Sequence, residues 1–199
     1  CVKNRALRLD EYGIESLLKR SQKWLYNYEP QRVWYPSELY KWQGSIEESM
    51  FLFKQACYSS RNEFLDLEVH NNKNIYAIWT EPTRYSKRWK LRYIGQRHSS
   101  GIKDRLKNHL FGGPFGAGIK PNSKFEDVFN SLINNQMIYV SYVQVIPESL
   151  RTFIEQSLIC INSYKAIEVS NISFGSFTVT NSLFNLISSA INPIIVALF

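Results

Sequence analysis

Three runs of β-branched and aromatic residues constrain the fold of this chain more than any other feature. They cover residues 74–79, 90–94 and 137–145, and their composition predicts β-strands. Apolar residues at helical spacing follow in three segments, which are 99–110, 125–133 and 147–164. The order strand-strand-helix-helix-strand-helix predicts an α+β fold, with a small antiparallel sheet of about three strands flanked by helices.

The first seventy residues have a different pattern. Residues 10–26 show helical spacing, and a second helix is predicted from Ser45 to about Tyr58, where Ser45 and Glu48 form a capping-box arrangement. The connection between them is rich in Trp and Tyr, which could stack on nucleic-acid bases but more commonly pack in a core. We therefore predict a helical N-terminal extension over residues 1–70 and a second domain over residues 71–199.

The positive charge of the chain is concentrated in one window. The formal net charge is +7, whereas residues 84–107 alone hold nine Lys and Arg against one Asp and carry +8. A local excess of this kind indicates a polyanionic partner, with a phosphate backbone as the leading candidate. A solvated charged face is the alternative interpretation.

Cysteine usage and the last thirty residues bear on the compartment. Cys1, Cys57 and Cys160 are odd in number and far apart, which fits neither a disulfide framework nor a zinc site and favours a reducing, cytoplasmic environment. No secretory signal pattern is evident. Beyond Glu168 the chain carries no charge, but polar residues interrupt it before a membrane-spanning length is reached, so buried core is expected there rather than contact with a membrane.

Short motifs fall on these predicted elements in a characteristic order. Asn74-Ile75-Tyr76 and Tyr93-Ile94-Gly95 lie on the first two strands, Arg105 and His109 share one face of the next helix, and Glu155 opens the sequence Glu-Gln-Ser-Leu-Ile on the last helix. Between residues 71 and 165 the chain thereby resembles the GIY-YIG nucleases, and the Arg and His pairing is most similar to their type II restriction endonuclease members.

The resemblance implies a catalytic domain that hydrolyses DNA phosphodiester bonds. Arg105 is suited to clamp the scissile phosphate, and Glu155 to bind Mg²⁺ or another divalent cation such as Mn²⁺. The resemblance further implies that a tyrosine, Tyr76, acts as general base towards the attacking water, with Tyr93 and His109 positioning or relaying the proton. Because the pKa of a free tyrosine is about 10, such a base requires surroundings that stabilise the phenolate.

The resemblance also implies a substrate and partners. Double-stranded DNA is the expected substrate, with a possible homodimer for cutting two strands and a possible cognate DNA methyltransferase acting on the same site. The expected DNA-binding residues are Arg84, Lys87, Arg88, Lys90, Arg92, Lys103 and Lys107. Strand alternation predicts Arg88, Lys90 and Arg92 on one side of their strand, with Trp89 and Leu91 on the other.

Two departures from the family pattern bear on whether catalysis is retained, and two alternatives to a restriction enzyme stay open. Asn74 replaces the first glycine of the motif, and Ile167 stands where the family's late asparagine is expected, although Asn162, Asn171 or Asn192 could take that place. A structure-specific repair or recombination nuclease is one alternative to a restriction enzyme. A DNA-binding module that has kept this fold and lost catalysis is the other.

Overall fold

The computed structural model describes residues 6–35, 44–68, 72–82, 88–113, 118–119 and 122–170. Within these ranges the chain forms five strands and five α-helices, in the order β1 (Ala6–Arg8), α1 (Gly13–Asn27), β2 (Gln31–Arg32), α2 (Ile46–Glu68), β3 (Ile75–Glu81), β4 (Lys90–Gln96), α3 (Ile102–Phe111), α4 (Phe125–Ile133), β5 (Met137–Ile146) and α5 (Arg151–Ser170). Residues Cys1–Cys160 form one compact unit and Ile161–Phe199 a second.

The sheet is mixed and has more strands than predicted. Its order is β1-β5-β3-β4, with β2 paired to β5 as well. The predicted antiparallel strands β3, β4 and β5 are its centre, because β3 pairs antiparallel with both neighbours. The N-terminal segment adds β2 antiparallel and β1 parallel to β5. The prediction of about three antiparallel strands missed these two because two or three residues are too short to show an alternating pattern.

Helices cover both faces of the sheet. On the first face, Tyr76 and Ile78 of β3 pack in a cluster with residues of α2, α3 and α4. On the second face, Ala77 and Trp79 pack in a cluster with residues of α1 and α5. All seven residues of β3 are buried for this reason. Such a strand shows a continuous apolar run rather than alternation.

The helix boundaries follow local signals. The predicted cap of α2 is confirmed, since Ser45 Oγ accepts a hydrogen bond of 3.1 Å from the backbone N–H of Glu48, and α2 continues ten residues beyond the predicted end. α3 stops at Gly112, whose left-handed φ of 75° suits a glycine. None of the helices within the described ranges is long and apolar enough to cross a bilayer. The uncharged segment 171–199 lies outside these ranges.

Asn74, which replaces the motif's first glycine, is a structural residue at the start of β3. Its side-chain amide donates to the carbonyl of Val145 at 2.9 Å, and its carbonyl accepts from the Val145 N–H at 2.8 Å. The side chain thus imitates one more step of strand pairing between β3 and β5. Both bonds are buried, which makes them costly to leave unmade.

Candidate active site

The two motif tyrosines meet on the first face of the sheet. Tyr76 pairs with Gly95 across β3 and β4, while Ile78 pairs with Tyr93, so the tyrosines are diagonal neighbours. Their ring centroids are 6.0 Å apart. The Tyr76 ring covers Gly95 so closely that a Cβ there would lie 2.5 Å from its Cζ and Oη and 2.7 Å from Tyr93 Cε1. Glycine is therefore required at this point of the motif.

His109 joins the tyrosines from α3. Its Nε2 lies 2.9 Å from Tyr76 Oη, and its Nδ1 accepts a hydrogen bond of 2.9 Å from the backbone N–H of Lys124. Burial, followed by the positive charges of Arg105 and Lys124, lowers the pKa of His109 to about 3. The imidazole is consequently neutral at physiological pH.

The hydrogen bonds of a neutral His109 determine which nitrogen carries its proton. A backbone N–H is only a donor, so Nδ1 must be the unprotonated nitrogen and the proton resides on Nε2. It follows that His109 donates to Tyr76 Oη rather than accepting from it. Of the two predicted roles for His109, this geometry favours positioning of Tyr76 over acceptance of its proton.

The hydroxyl of Tyr76 is subject to opposing influences. Burial and the neighbouring Tyr93 raise its pKa well above the ordinary value, whereas the charge and hydrogen-bonding capacity of Arg105 act to lower it. Arg105 is half-buried and donates one hydrogen bond of 3.3 Å to the carbonyl of Asn122. Its position beside Tyr76 and His109 matches the i, i+4 spacing predicted for α3.

Glu155 reaches the end of β4 from α5. Its neighbour Ile154 packs in the cluster of the second face, and Glu155 itself is half-buried. Burial raises the pKa of its carboxyl, and the backbone N–H of Gln96 opposes that rise. One turn earlier on α5, Arg151 Nε donates to Gln96 Oε1 at 2.9 Å. These contacts hold Glu155 next to Gln96, the residue that follows Gly95.

The surroundings of Glu155 fit the divalent cation that the resemblance implies. Within the described ranges there is no cluster of three or more His, Cys, Asp and Glu side chains that could hold a metal ion. A single carboxylate nevertheless suits Mg²⁺, which is commonly held by one or two carboxylates together with substrate phosphate and water. Burial favours the protonated form of the Glu155 carboxyl. A bound cation would oppose this effect, because its positive charge stabilises the ionised carboxylate.

The predicted DNA-binding residues that the structure describes lie at the beginning of β4, just before it and on α3. Lys90 is exposed at the start of β4 and Arg88 is exposed two residues before it, while Lys103 and Lys107 are half-buried on α3. Arg92 donates to Thr80 Oγ1 at 2.8 Å. The remaining two, Arg84 and Lys87, lie outside the described residues. As predicted for this strand, Trp89 and Leu91 pack on the second face, while Arg92 lies with Thr80 and Tyr93 around a cavity.

Three contributors to the site were not among the predicted residues. Lys124 acts through its backbone N–H, which leaves no signature in a sequence. Arg97 and Arg151 line a small cavity of about 220 Å³ together with Gln96, the residue whose backbone N–H contacts Glu155. Arg97 belongs to the basic window of residues 84–107, but the sequence predicts no individual role for it. Arg151 is far from Arg97 in the sequence, and only the fold brings the two side chains to the same cavity. Two guanidinium groups in one cleft are well suited to phosphate oxygens.

Comparisons of the chain with protein-family models, curated proteins and solved structures gave no match. The likeness to the GIY-YIG nucleases therefore rests on the motifs and on the contacts among the residues that form them.

Proposed function

We propose that this chain is a metal-dependent endonuclease that hydrolyses phosphodiester bonds of double-stranded DNA. The contact that carries the proposal is the hydrogen bond from His109 Nε2 to Tyr76 Oη, with Tyr93 and Arg105 beside it. These side chains come from three separate elements and match the order of the GIY-YIG motifs. Convergence of this kind is what a catalytic constellation requires.

Each residue has a definite part in the proposed chemistry. Arg105 neutralises charge that develops on the scissile phosphate, and it does so more strongly in the transition state than before it. The phenolate form of Tyr76 takes the proton of the attacking water, and Tyr93, whose ring centroid is 6.0 Å from that of Tyr76, positions the same water. A Mg²⁺ or Mn²⁺ ion held by Glu155 would supply Lewis-acid charge at the phosphate.

Because the pKa of Tyr76 is raised, the site must favour ionisation of this hydroxyl before Tyr76 can act as a base. A resting Tyr76 is protonated at neutral pH, so it serves as a base only after its own proton has passed to solvent water. His109 Nε2–H donates to the Tyr76 oxygen, and the charge and hydrogen-bonding capacity of Arg105 act to lower the pKa of the same hydroxyl. Both residues thereby stabilise the ionised form of Tyr76 without taking part in the proton transfer.

Sequence-specific restriction is the favoured subclass, because the Arg105 and His109 pairing resembles restriction-type members and the N-terminal segment offers additional surface for reading bases. A second copy of the chain would cut the second DNA strand. Digestion of a complex plasmid with Mg²⁺ or Mn²⁺ tests this. Discrete bands support a restriction enzyme, whereas cleavage confined to branches or flaps supports a repair or recombination nuclease.

The substitution Glu155→Gln tests the catalytic assignment. It removes the negative charge while keeping size, so we expect cleavage to fall by at least about a hundredfold with DNA affinity within about threefold of wild type. Glu126→Gln, on the exposed surface of α4, is the matched control and keeps full activity. Tight binding by the wild type without cleavage under either ion would instead identify a DNA-binding module.

A further inference from the structure

A cavity of about 410 Å³ opens beside Tyr93 on the first face of the sheet. Its floor is apolar, formed by the buried side chains of Ile78, Val128 and Ile138. The ring centroid of Tyr93 is 5.2 Å from that of His109, so the cavity adjoins the candidate active site. Its volume lies in the range of small-molecule sites, about 300–1,000 Å³.

The rim of this cavity consists of groups that donate and accept hydrogen bonds. Arg92 donates through Nε to Thr80 Oγ1 at 2.8 Å and through Nη2 to Gln136 Oε1 at 3.3 Å, which fixes the plane of its guanidinium. Asn130 adds an amide from α4. Arginine, asparagine and glutamine are the side chains that recognise the edges of nucleobases by paired hydrogen bonds.

A phosphate is a poorer match for the same space. The carboxylate of Asp127 lies at the cavity and would repel an anion, and its Oδ2 is 3.6 Å from Lys124 Nζ. Part of the Arg92 guanidinium is already engaged with Thr80 and Gln136. An apolar floor with a polar rim suits a flat aromatic ligand whose hydrogen-bonding groups lie at its edge.

We propose that this cavity binds one nucleobase of the substrate DNA, turned out of the duplex next to the cleaved bond. The inference rests on the proposed endonuclease function. A stacked base cannot enter a concave site, so the base must leave the helix, as it does in enzymes that flip a nucleotide. Tyr93 lies between this cavity and Tyr76 and would carry the recognition of the base to the reacting groups.

Free nucleotides test the cavity without requiring cleavage. The four deoxynucleoside 5′-monophosphates are titrated against deoxyribose 5-phosphate, which lacks a base, while the side-chain amide NMR signals of Asn130 and Gln136 are followed. We expect shifts with at least one nucleotide and none with the sugar phosphate. Asn130→Ala should weaken nucleotide binding on the order of tenfold, and Glu126→Ala, on the same helix outside the cavity, should leave it unchanged. Equal responses to both ligand types would overturn the proposal.

DNA carrying 2-aminopurine tests base extrusion. The fluorescent base is placed in turn at each position around a mapped cleavage site, and binding is measured without a divalent cation. One position should brighten severalfold with wild type and clearly less with Asn130→Ala. If no position brightens while the DNA is still cleaved when Mg²⁺ is added, the base-binding proposal fails and the nuclease stands. Nucleotide binding by a protein that cuts no DNA would overturn the nuclease and leave a nucleotide site.

Discussion

The position of the proton on His109 determines which atoms at the site can accept a hydrogen bond or a further proton. Because the Lys124 N–H occupies Nδ1, His109 offers Tyr76 a donor and has no lone pair for it. We expect His109→Gln, which restores an N–H at a similar reach, to stay within about tenfold of wild-type cleavage, whereas His109→Ala should lose roughly a hundredfold, as when one transition-state donor is removed. Single-turnover cleavage of plasmid DNA measures both. Equally slow variants would show that His109 does more than donate.

The depressed pKa of His109 makes folding sensitive to acid. In the folded chain the pKa is about 3, whereas an unperturbed histidine has a pKa near 6.5. Between these values the unfolded chain binds a proton that the folded chain does not, so the free energy of unfolding falls as pH falls. The slope from this residue approaches about 1.4 kcal/mol per pH unit.

Urea unfolding between pH 7 and pH 4 measures this slope. His109→Gln should lose stability less steeply than wild type over the same range, because its side chain does not titrate. Exposed His98 offers His98→Gln as a control for the loss of a histidine. A wild-type slope in His109→Gln would contradict the burial of a neutral imidazole.

At the scale of elements, the pairing of β3 with β4 depends on the glycine beneath Tyr76. The Tyr76 ring cannot easily shift away from a new Cβ, because it is fully buried and its hydroxyl is held by His109. We expect Gly95→Ala to destabilise the fold by about 1–3 kcal/mol, as overpacking does, and to reduce cleavage sharply. Gly118→Ala is the control, since nothing lies within 4 Å of the Cβ it would add. Wild-type stability of Gly95→Ala would contradict this close packing.

How well each element could be predicted depended on its length and its neighbours. β3, β5 and α4 are long runs with clear composition, and their predicted limits agree with the observed ones to within two residues. β1 and β2 exist because β5 offers them an edge, and that partner is more than a hundred residues away. Contacts of this kind cannot be read from local periodicity.

The candidate site shows the same limit. Tyr76, Tyr93 and His109 were predicted from motif order, and the structure brings their rings within 6.0 Å of one another. The Lys124 N–H, which fixes the tautomer of His109, belongs to the backbone and is therefore invisible to residue type. Asn74 looked like a departure from the motif, yet its two bonds to Val145 explain it through a partner far along the chain.

For the whole molecule, most described charges of the basic window lie along β4, next to its ends and on α3. Lys90 is exposed at the start of β4 and Arg88 two residues before it, whereas Arg92 is engaged with Thr80 beside the candidate active site. Between them, Trp89 and Leu91 pack on the second face and fix the strand. The charges at Arg88 and Lys90 thus lie at the entry to a strand that leads to Tyr93, which suits them to contact the DNA of the proposed nuclease.

Removing these two charges should weaken DNA binding without changing where the chain cuts. If both contact phosphates, Arg88→Ala with Lys90→Ala reduces the slope of log affinity against log salt by about 1.8, or about 0.9 per contact. The matched control is Lys19→Ala with Lys23→Ala on the exposed side of α1, which removes the same charge. Binding titrations at several salt concentrations give the slopes, and sequencing of cleaved ends gives the positions. An unchanged slope would show that this charge is only solvated, and an equal change in the control would show that the contact is not localised to β4.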